Sequence, residues 1–206
     1  MLMRHPMAVR GFTIVELLVT VAVLGIVLML GLPNISAWLQ NTQIRNGAEA
    51  MVSGLQFARA EALRRNRPVR FNLVDTLDAS CSLATGGPNW VVSMADPASS
   101  CNVDASLTAD PPFILQKRGS QEGSQNAVIN ASVPSVTYTG LGNVSGALLS
   151  SATGVMQIGV SNPSGGACRT PTGNEPMRCL LVVVSASGSV RMCDPAVSDA
   201  TDPRKC

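Results

Sequence analysis

Histidine is almost missing from this chain: His5 stands alone among 206 residues. That leaves everything after the first few residues without the commonest general base and metal ligand. Aromatic residues make up 3% of the sequence, so any core must rest on Val, Leu, Ile, Ala and Met. Charged residues supply only 14%, low for a cytosolic protein, and Ser, Gly, Pro and Asn fill the difference. No Cys-x-x-Cys doublet occurs, and zinc sites want such doublets, often with histidine. No serine has a base partner or a Gly-x-Ser-x-Gly frame. Gly86-Gly87 and Gly165-Gly166 lack a following Lys-Ser/Thr and open no helix, which makes them turn glycines rather than phosphate cradles. Asp194, Asp199 and Asp202 lack the spacing and the glycine of an EF-hand loop, and read as solvated tail carboxylates. No repeat of fixed period is present. These absences exclude the common enzyme classes, and neither a metal nor a cofactor is expected.

Charge is scarce and unevenly spread. The formal balance is +2, from 15 Lys and Arg against 13 Asp and Glu. Two of the cations, Arg4 and Arg10, precede a long apolar run; without them the side chains balance. Arg45 to Arg70 holds six arginines against Glu49 and Glu61, and the chain beyond is net negative. No global footprint for nucleic acid results. Arg64, Arg65 and Arg67 are expected to complement a helix C-terminus; contact with nucleic acid and contact with an acidic surface of the next subunit are the other readings.

What is present is a run of membrane grade. From Phe12 to Leu32 the only charged residue is Glu16, and the only other polar side chains are Thr13 and Thr20. A secretory signal has an apolar core of about 7 to 15 residues and a small-x-small site; this run is longer and leads into Pro33 and Asn34 instead. A transmembrane helix needs about 20 apolar residues and fits the length. It does not explain Glu16, because a carboxylate in hydrocarbon costs about 2.5 kcal/mol or more unless paired. Six cysteines follow the run, Cys81, Cys101, Cys168, Cys179, Cys193 and Cys206. An even count behind an export segment favours disulfides in an oxidising compartment. Fifteen pairings are possible, and sequence neighbours suggest 81 with 101, 168 with 179, and 193 with 206.

Beyond Pro33, which is expected to kink a helix rather than end it, Ile44, Ala48, Met51, Leu55, Ala58 and Ala62 recur at steps of four and three. That spacing predicts an amphipathic helix with Glu49, Ser53, Gln56 and Arg59 off its apolar stripe. Asn66-Arg67-Pro68 should stop it. Val69, Phe71 and Leu73 alternate with Arg70 and Asn72 as in a half-buried strand. Further strands are expected at Trp90 to Met94, Phe113 to Gln116, Val136 to Thr139, Val155 to Val160, Leu180 to Ser185 and Ser189 to Met192. The last two flank Ala186-Ser187-Gly188, a hairpin connection. Pro/Gly/Ser/Asn-rich loops are expected at 74 to 89, 95 to 112, 117 to 126 and 161 to 178. The fold class is α+β: one long N-terminal helix, its first half membrane-spanning, packed against antiparallel sheet in a C-terminal globular head.

"RGFTIVEL" resembles the class III signal of type IV pilins and type II secretion pseudopilins. "FARAEALRRNRPVRFNL", residues 57 to 73, resembles the helix-to-strand junction of the GspH/FimT (FimU-like) branch, with Arg59, Glu61, Ala62, Arg65, Asn66 and Val69 in the matching places. "GSVRMCDP", residues 188 to 195, resembles the end of that branch. The resemblance implies a leader over 1–11, cut by a prepilin peptidase between Gly11 and Phe12, and methylation of the new N-terminus at Phe12. It implies a transmembrane and assembly helix over 12–33, an amphipathic helix over 34–67, and a disulfide-bonded β-rich head over 68–206, the pilin fold. Glu16 would then pair with the terminal ammonium of Phe12 on a neighbouring subunit, which relieves two unpaired charges in lipid. The implied partners are other pilin or pseudopilin subunits, the peptidase and the inner membrane, with the head periplasmic before assembly and in a pilus or pseudopilus after it. The implied function is a minor pilin that helps prime a type IV pilus and enters it. The alternatives are a minor pseudopilin of a type II secretion system, a DNA-binding competence pilin using Arg191, Arg204 and Lys205, and a plain single-pass anchor that never polymerises. Nucleic acid is not the expected partner, since "GSVRM" carries one arginine where that branch has a doublet.

Overall fold

A computed structural model describes residues 11–105, 111–119, 123–145 and 156–206, the side chains of residues 30–34 excepted. Residues 1–10, which hold most of the expected leader, lie outside the described residues, as does Val155 at the start of one expected strand. One helix, α1, runs over Ile14–Arg65, 52 residues, and the helical backbone continues through position 33. The side chain of Pro33, the expected kink, is among those excepted. The chain divides into two compact units, Met1–Ser36 and Ala37–Cys206.

In the first unit the described apolar side chains are exposed, Phe12 at 79% and Ile14 at 82% among them. Among the described residues no helix is long and apolar enough to cross a membrane.

The second unit takes its form from the stripe on α1. Ile44, Ala48, Met51, Leu55, Ala58 and Ala62 are all buried, as their spacing predicts. Gly54 lets the sheet come close: a Cβ there would stand 2.8 Å from the Phe71 ring and 3.0 Å from Trp90. Those two rings pack with centroids 5.6 Å apart. Each large side chain so buried contributes about 1.5–3 kcal/mol. The helix closes in a Schellman motif. Asn66 is left-handed at φ 48°, its amide bonds Leu63 O at 3.3 Å, and the Arg67 amide bonds Ala62 O at 3.3 Å.

Among the described residues nine antiparallel strands form two sheets. The first has the order β3-β2-β1-β5-β6, from β1 (Val69–Val74), β2 (Asn89–Ser93), β3 (Ile114–Arg118), β5 (Ser135–Tyr138) and β6 (Val144–Ser145). The second has the order β4-β7-β8-β9, from β4 (Val128–Ala131), β7 (Met156–Ser161), β8 (Leu180–Val184) and β9 (Val190–Cys193). All seven expected strands are present within a residue or two. β4 and β6 were not expected, and β3 extends to Arg118 into a segment read as loop.

Alternation assigns the faces of the first sheet. Val69, Phe71, Leu73, Trp90 and Val92 belong to the main core with α1. Val74, Val91 and Ile114 belong instead to a smaller core with Cys81 and Cys101. The first sheet is thus covered on both sides: on the outer face a loop is held by the Cys81–Cys101 disulfide. Lys117 Nζ fastens that loop by donating to the carbonyls of Cys101, Asn102 and Val103 at 3.0–3.2 Å. Cys168–Cys179 and Cys193–Cys206 complete the disulfides, so each cysteine is joined to its neighbour in sequence.

Among the described residues backbone bonds link the parts of the head carrying the two sheets at two places. Beside β4, the Ala131 amide donates to Thr85 O at 2.7 Å and the Gly87 amide to Ile129 O at 3.3 Å, which covers the outer edge of that strand. At the other end the Val144 amide donates to Ala186 O at 3.0 Å. Arg59 bridges this second junction. Its Nε donates to Gly142 O at 3.0 Å and a terminal nitrogen lies 3.5 Å from Ser187 O. Arg59 lies off the apolar stripe yet is half-buried, and its long stem reaches two turns that only the fold brings together.

Candidate functional site

The first described turn of α1 is built by four residues. Thr13 sits just outside the helix, and its Oγ1 accepts the Glu16 amide at 3.2 Å while its carbonyl accepts the Leu17 amide at 3.1 Å. Thr13 is therefore the N-cap and Glu16 the third helical residue, the spacing of a capping box. The signal for this, Thr-x-x-Glu ahead of an apolar run, is legible in the sequence, although polarity alone presents it only as one polar residue and one carboxylate. Glu16 is exposed and in no ion pair among the described residues. Gly11 and Phe12 precede the cap, and together with Thr13 and Glu16 they line a shallow recess. Gly11, Phe12 and Glu16 are thus neighbours at one helix end, where the helix dipole already favours a carboxylate.

The junction residues of the sequence resemblance each have a structural task. Arg59 bridges the two turns, Ala62 is fully buried, Asn66 is the left-handed cap, and Val69 opens β1 in the core. Glu61 lies between Arg64 and Arg65, 2.7 Å from each, with its own side chain 14% exposed. Arg64 and Arg65 therefore do more than complement the dipole, although Arg64 remains 60% exposed. The Arg64 hydrogen bond, helped by Arg65, holds the Glu61 carboxyl below the usual carboxylate range against the opposing effect of burial. A lowered folded-state pKa stabilises the fold fully above the unfolded value of about 4.3. That contribution is lost as pH falls through the lowered value. Urea midpoints of the full chain in detergent should therefore separate wild type from Glu61→Gln at pH 7 and converge as pH falls below the lowered carboxyl value. A separation that persists unchanged into acid would assign Glu61 a packing role instead.

The basic residues near the C-terminus hold a tail. Arg191 donates to the carbonyls of Lys205 at 3.5 Å and Cys206 at 3.2 Å. The Asp194 amide donates to Arg204 O at 2.7 Å, and Lys205 Nζ donates to Ser198 O at 3.1 Å. Arg204 pairs with Asp202 at 2.6 Å, and that guanidinium holds the Asp202 carboxyl down at about 2. Asp194 and Asp199 accept backbone amides two residues on, as turn caps. Arg191, Arg204 and Lys205 are close together, but each is bonded within the tail that Cys193–Cys206 clasps.

An exposed apolar helix whose first turn carries a carboxylate, continued by a helix buried under antiparallel sheets, defines a pilin-type subunit. Two family models agree. The prokaryotic N-terminal methylation motif matches residues 6–32. The family of the type II transport protein GspH matches residues 47–188, and the chain belongs to that family of minor pilins and pseudopilins. Its members are filament subunits and not enzymes. Among solved structures, the type IV minor pilin FimU of Pseudomonas aeruginosa is similar at 14% identity and a TM-score of 0.46, covering 76% of this chain and 97% of its own. GspH of E. coli is similar at 15% identity and a TM-score of 0.43, covering 79% of this chain and 94% of its own. No curated protein matches the chain.

Proposed function

We propose that the chain is a minor pilin that helps prime assembly of a type IV pilus at the inner membrane and is then incorporated into it. In this reading a prepilin peptidase cuts between Gly11 and Phe12, and Phe12 becomes the methylated N-terminus. Residues 12–33 lie in the inner membrane with the head in the periplasm, and Glu16 meets the Phe12 ammonium of a neighbouring pilin subunit. The observation that carries the reading is the helix start, where an exposed carboxylate without an ion pair among the described residues sits in the first turn of an exposed apolar helix. Such a surface is stable only when covered, and such a charge in lipid only when paired. The inner-membrane placement rests on the uninterrupted run from Phe12 to Leu32.

The choice of pilus over secretion apparatus rests on the three disulfides, since a surface-exposed head gains more from staples than a periplasmic one. The second reading, a pseudopilin of a type II secretion system, is supported by the description of the matching family. DNA binding through Arg191, Arg204 and Lys205 has the bonding of those side chains within the tail against it. A clean deletion strain, scored together for sheared surface pili and for secreted folded enzymes, tests the proposal. Loss of pili with normal secretion supports the minor pilin. Loss of secretion with normal pili replaces it with the pseudopilin.

A further inference from the structure

The C-terminal end of α1 carries more positive charge than the fold consumes. Arg59, Arg64, Arg65 and Arg67 stand in its last turns and just beyond, and Glu61 is the one carboxylate among them. Arg64 and Arg65 share that carboxylate at 2.7 Å each. Arg59 is held by the uncharged carbonyls of Gly142 and Ser187. Arg67 is exposed and in no ion pair among the described residues. Arg70, at the start of β1, has Asp96 3.9 Å away. The two turns that Arg59 reaches, 139–143 and 185–189, hold no charged residue. Five guanidinium groups therefore meet two carboxylates, and the half-charge of a helix C-terminus offsets little of the excess.

Two leucines are exposed at the same end, Leu63 at 49% and Leu141 at 83%. The turn that carries Leu141 is tightly built. The Leu141 amide donates to Thr139 Oγ1 at 3.2 Å, the Gly142 amide to Thr139 O at 2.8 Å, and the Thr139 amide to Asn143 O at 2.9 Å. The glycines on either side press against the helix end. A Cβ on Gly140 would stand 2.8 Å from the Asn66 backbone, and one on Gly142, left-handed at φ 79°, 3.1 Å from the Leu63 side chain. Arg67 follows Asn66 directly, so the turn sets Leu141 beside the segment that carries the unpaired cation. With both flanks fixed, Leu141 is an apolar point that the described part of the head leaves uncovered.

We infer that this end of the head docks on an anionic lipid surface, with Leu141 and Leu63 in the headgroup–acyl boundary and Arg64 and Arg67 on the lipid phosphates. The excess of guanidinium groups selects an anionic partner. The leucines select lipid among anions, because a bilayer has an apolar layer to receive them and a bare phosphate backbone has none. Single-stranded nucleic acid is bound on aromatic platforms, and residues 59–67, 139–143 and 185–189 contain no aromatic. Leu141 also projects rather than lining a groove, which suits a soft surface that offers no pocket. The inference concerns a single head and goes beyond the filament reading without resting on it.

The test holds the full chain in nanodiscs of phosphatidylcholine and measures how much of it floats with added vesicles. Vesicles of phosphatidylcholine mixed with phosphatidylglycerol should carry the discs upward at low ionic strength, and added salt should release them. Vesicles of phosphatidylcholine alone should not. Arg67→Glu should lower the floated fraction about tenfold or more, and Leu141→Ser about fivefold or more. Both side chains are exposed, and formation of all three disulfides in each variant confirms that the head has folded. Equal flotation with neutral vesicles, or flotation indifferent to both variants, overturns the inference. So does loss with Arg67→Glu alone, which would leave a bare charge attraction without the leucine. A gel shift with DNA that Arg67→Glu abolishes, in the absence of flotation, would replace lipid with nucleic acid. The discs hold single chains, so a negative result leaves the filament reading standing, and failure of assembly in cells leaves this one standing.

Discussion

Glu16→Ala should leave the chain in the membrane and keep it out of the filament. The expected loss is large, because a carboxylate in hydrocarbon is tolerated at a cost of about 2.5–3.5 kcal/mol or more unless it meets a cation. In the proposed assembly the neighbour's Phe12 ammonium is that cation, so the charge makes the filament preferable to the lipid for both partners. Removing the carboxylate makes the isolated subunit more comfortable in the bilayer and leaves the neighbouring ammonium unpaired. Membrane fractionation should show normal insertion, and sheared filaments should lack the subunit.

The capping geometry makes a sharper version of the experiment possible. Thr13 Oγ1 accepts the Glu16 amide, so Glu16 occupies the capping-box position that accepts either Glu or Gln. Glu16→Gln keeps the box and removes the charge. If charge is the cause, Gln should fail as Ala does. If Gln assembles normally while Ala does not, the residue acts by capping the helix, and the intersubunit ion pair is refuted. Thr13→Val removes only the cap and should cost about 1 kcal/mol of helix start without abolishing assembly.

Much of this fold was legible because its strongest elements are periodic. The stripe from Ile44 to Ala62 is buried along its length, and Val69, Phe71 and Leu73 face the helix as their alternation demands. β4 was illegible for a physical reason. Its four residues, Val-Ile-Asn-Ala, expose the valine and bury the alanine, so the polarity pattern contradicts the true faces. β6 has two residues and owes its place to Thr137 and Tyr138 opposite. Within the candidate site, Gly11, Phe12 and Glu16 were found as one contiguous motif. The partners of Arg59 were not, since Gly142 and Ser187 lie 83 and 128 residues away.

That non-local junction gives the second large effect, at Gly188. The β8–β9 hairpin turns through Ala186-Ser187-Gly188, with the Gly188 amide on Ser185 O at 2.9 Å and Gly188 left-handed at φ 80°. This is the three-residue hairpin in which a glycine completes the turn. The position is doubly restricted. A Cβ there would stand 2.0 Å from the Gly142 carbonyl oxygen, which Arg59 Nε also holds at 3.0 Å. The clash is with backbone, and no side chain can rotate away to relieve it. Gly188→Ala should therefore destabilise the head by about 1–2 kcal/mol for the left-handed conformation and by about 1–3 kcal/mol more for the forced displacement. Because the displaced carbonyl belongs to the β5–β6 turn, the damage should spread to the Val144–Ala186 contact that joins the two sheets. Urea unfolding of the full chain in detergent measures the loss, and Gly159→Ala is the control. At Gly159 in β7 a new Cβ would sit 3.6 Å from Asn130 O, ordinary contact, so that variant should be neutral or stabilised by up to about 1 kcal/mol. Equal midpoints for the two variants would mean that the turns are free to separate and that Arg59 does not hold the sheets together.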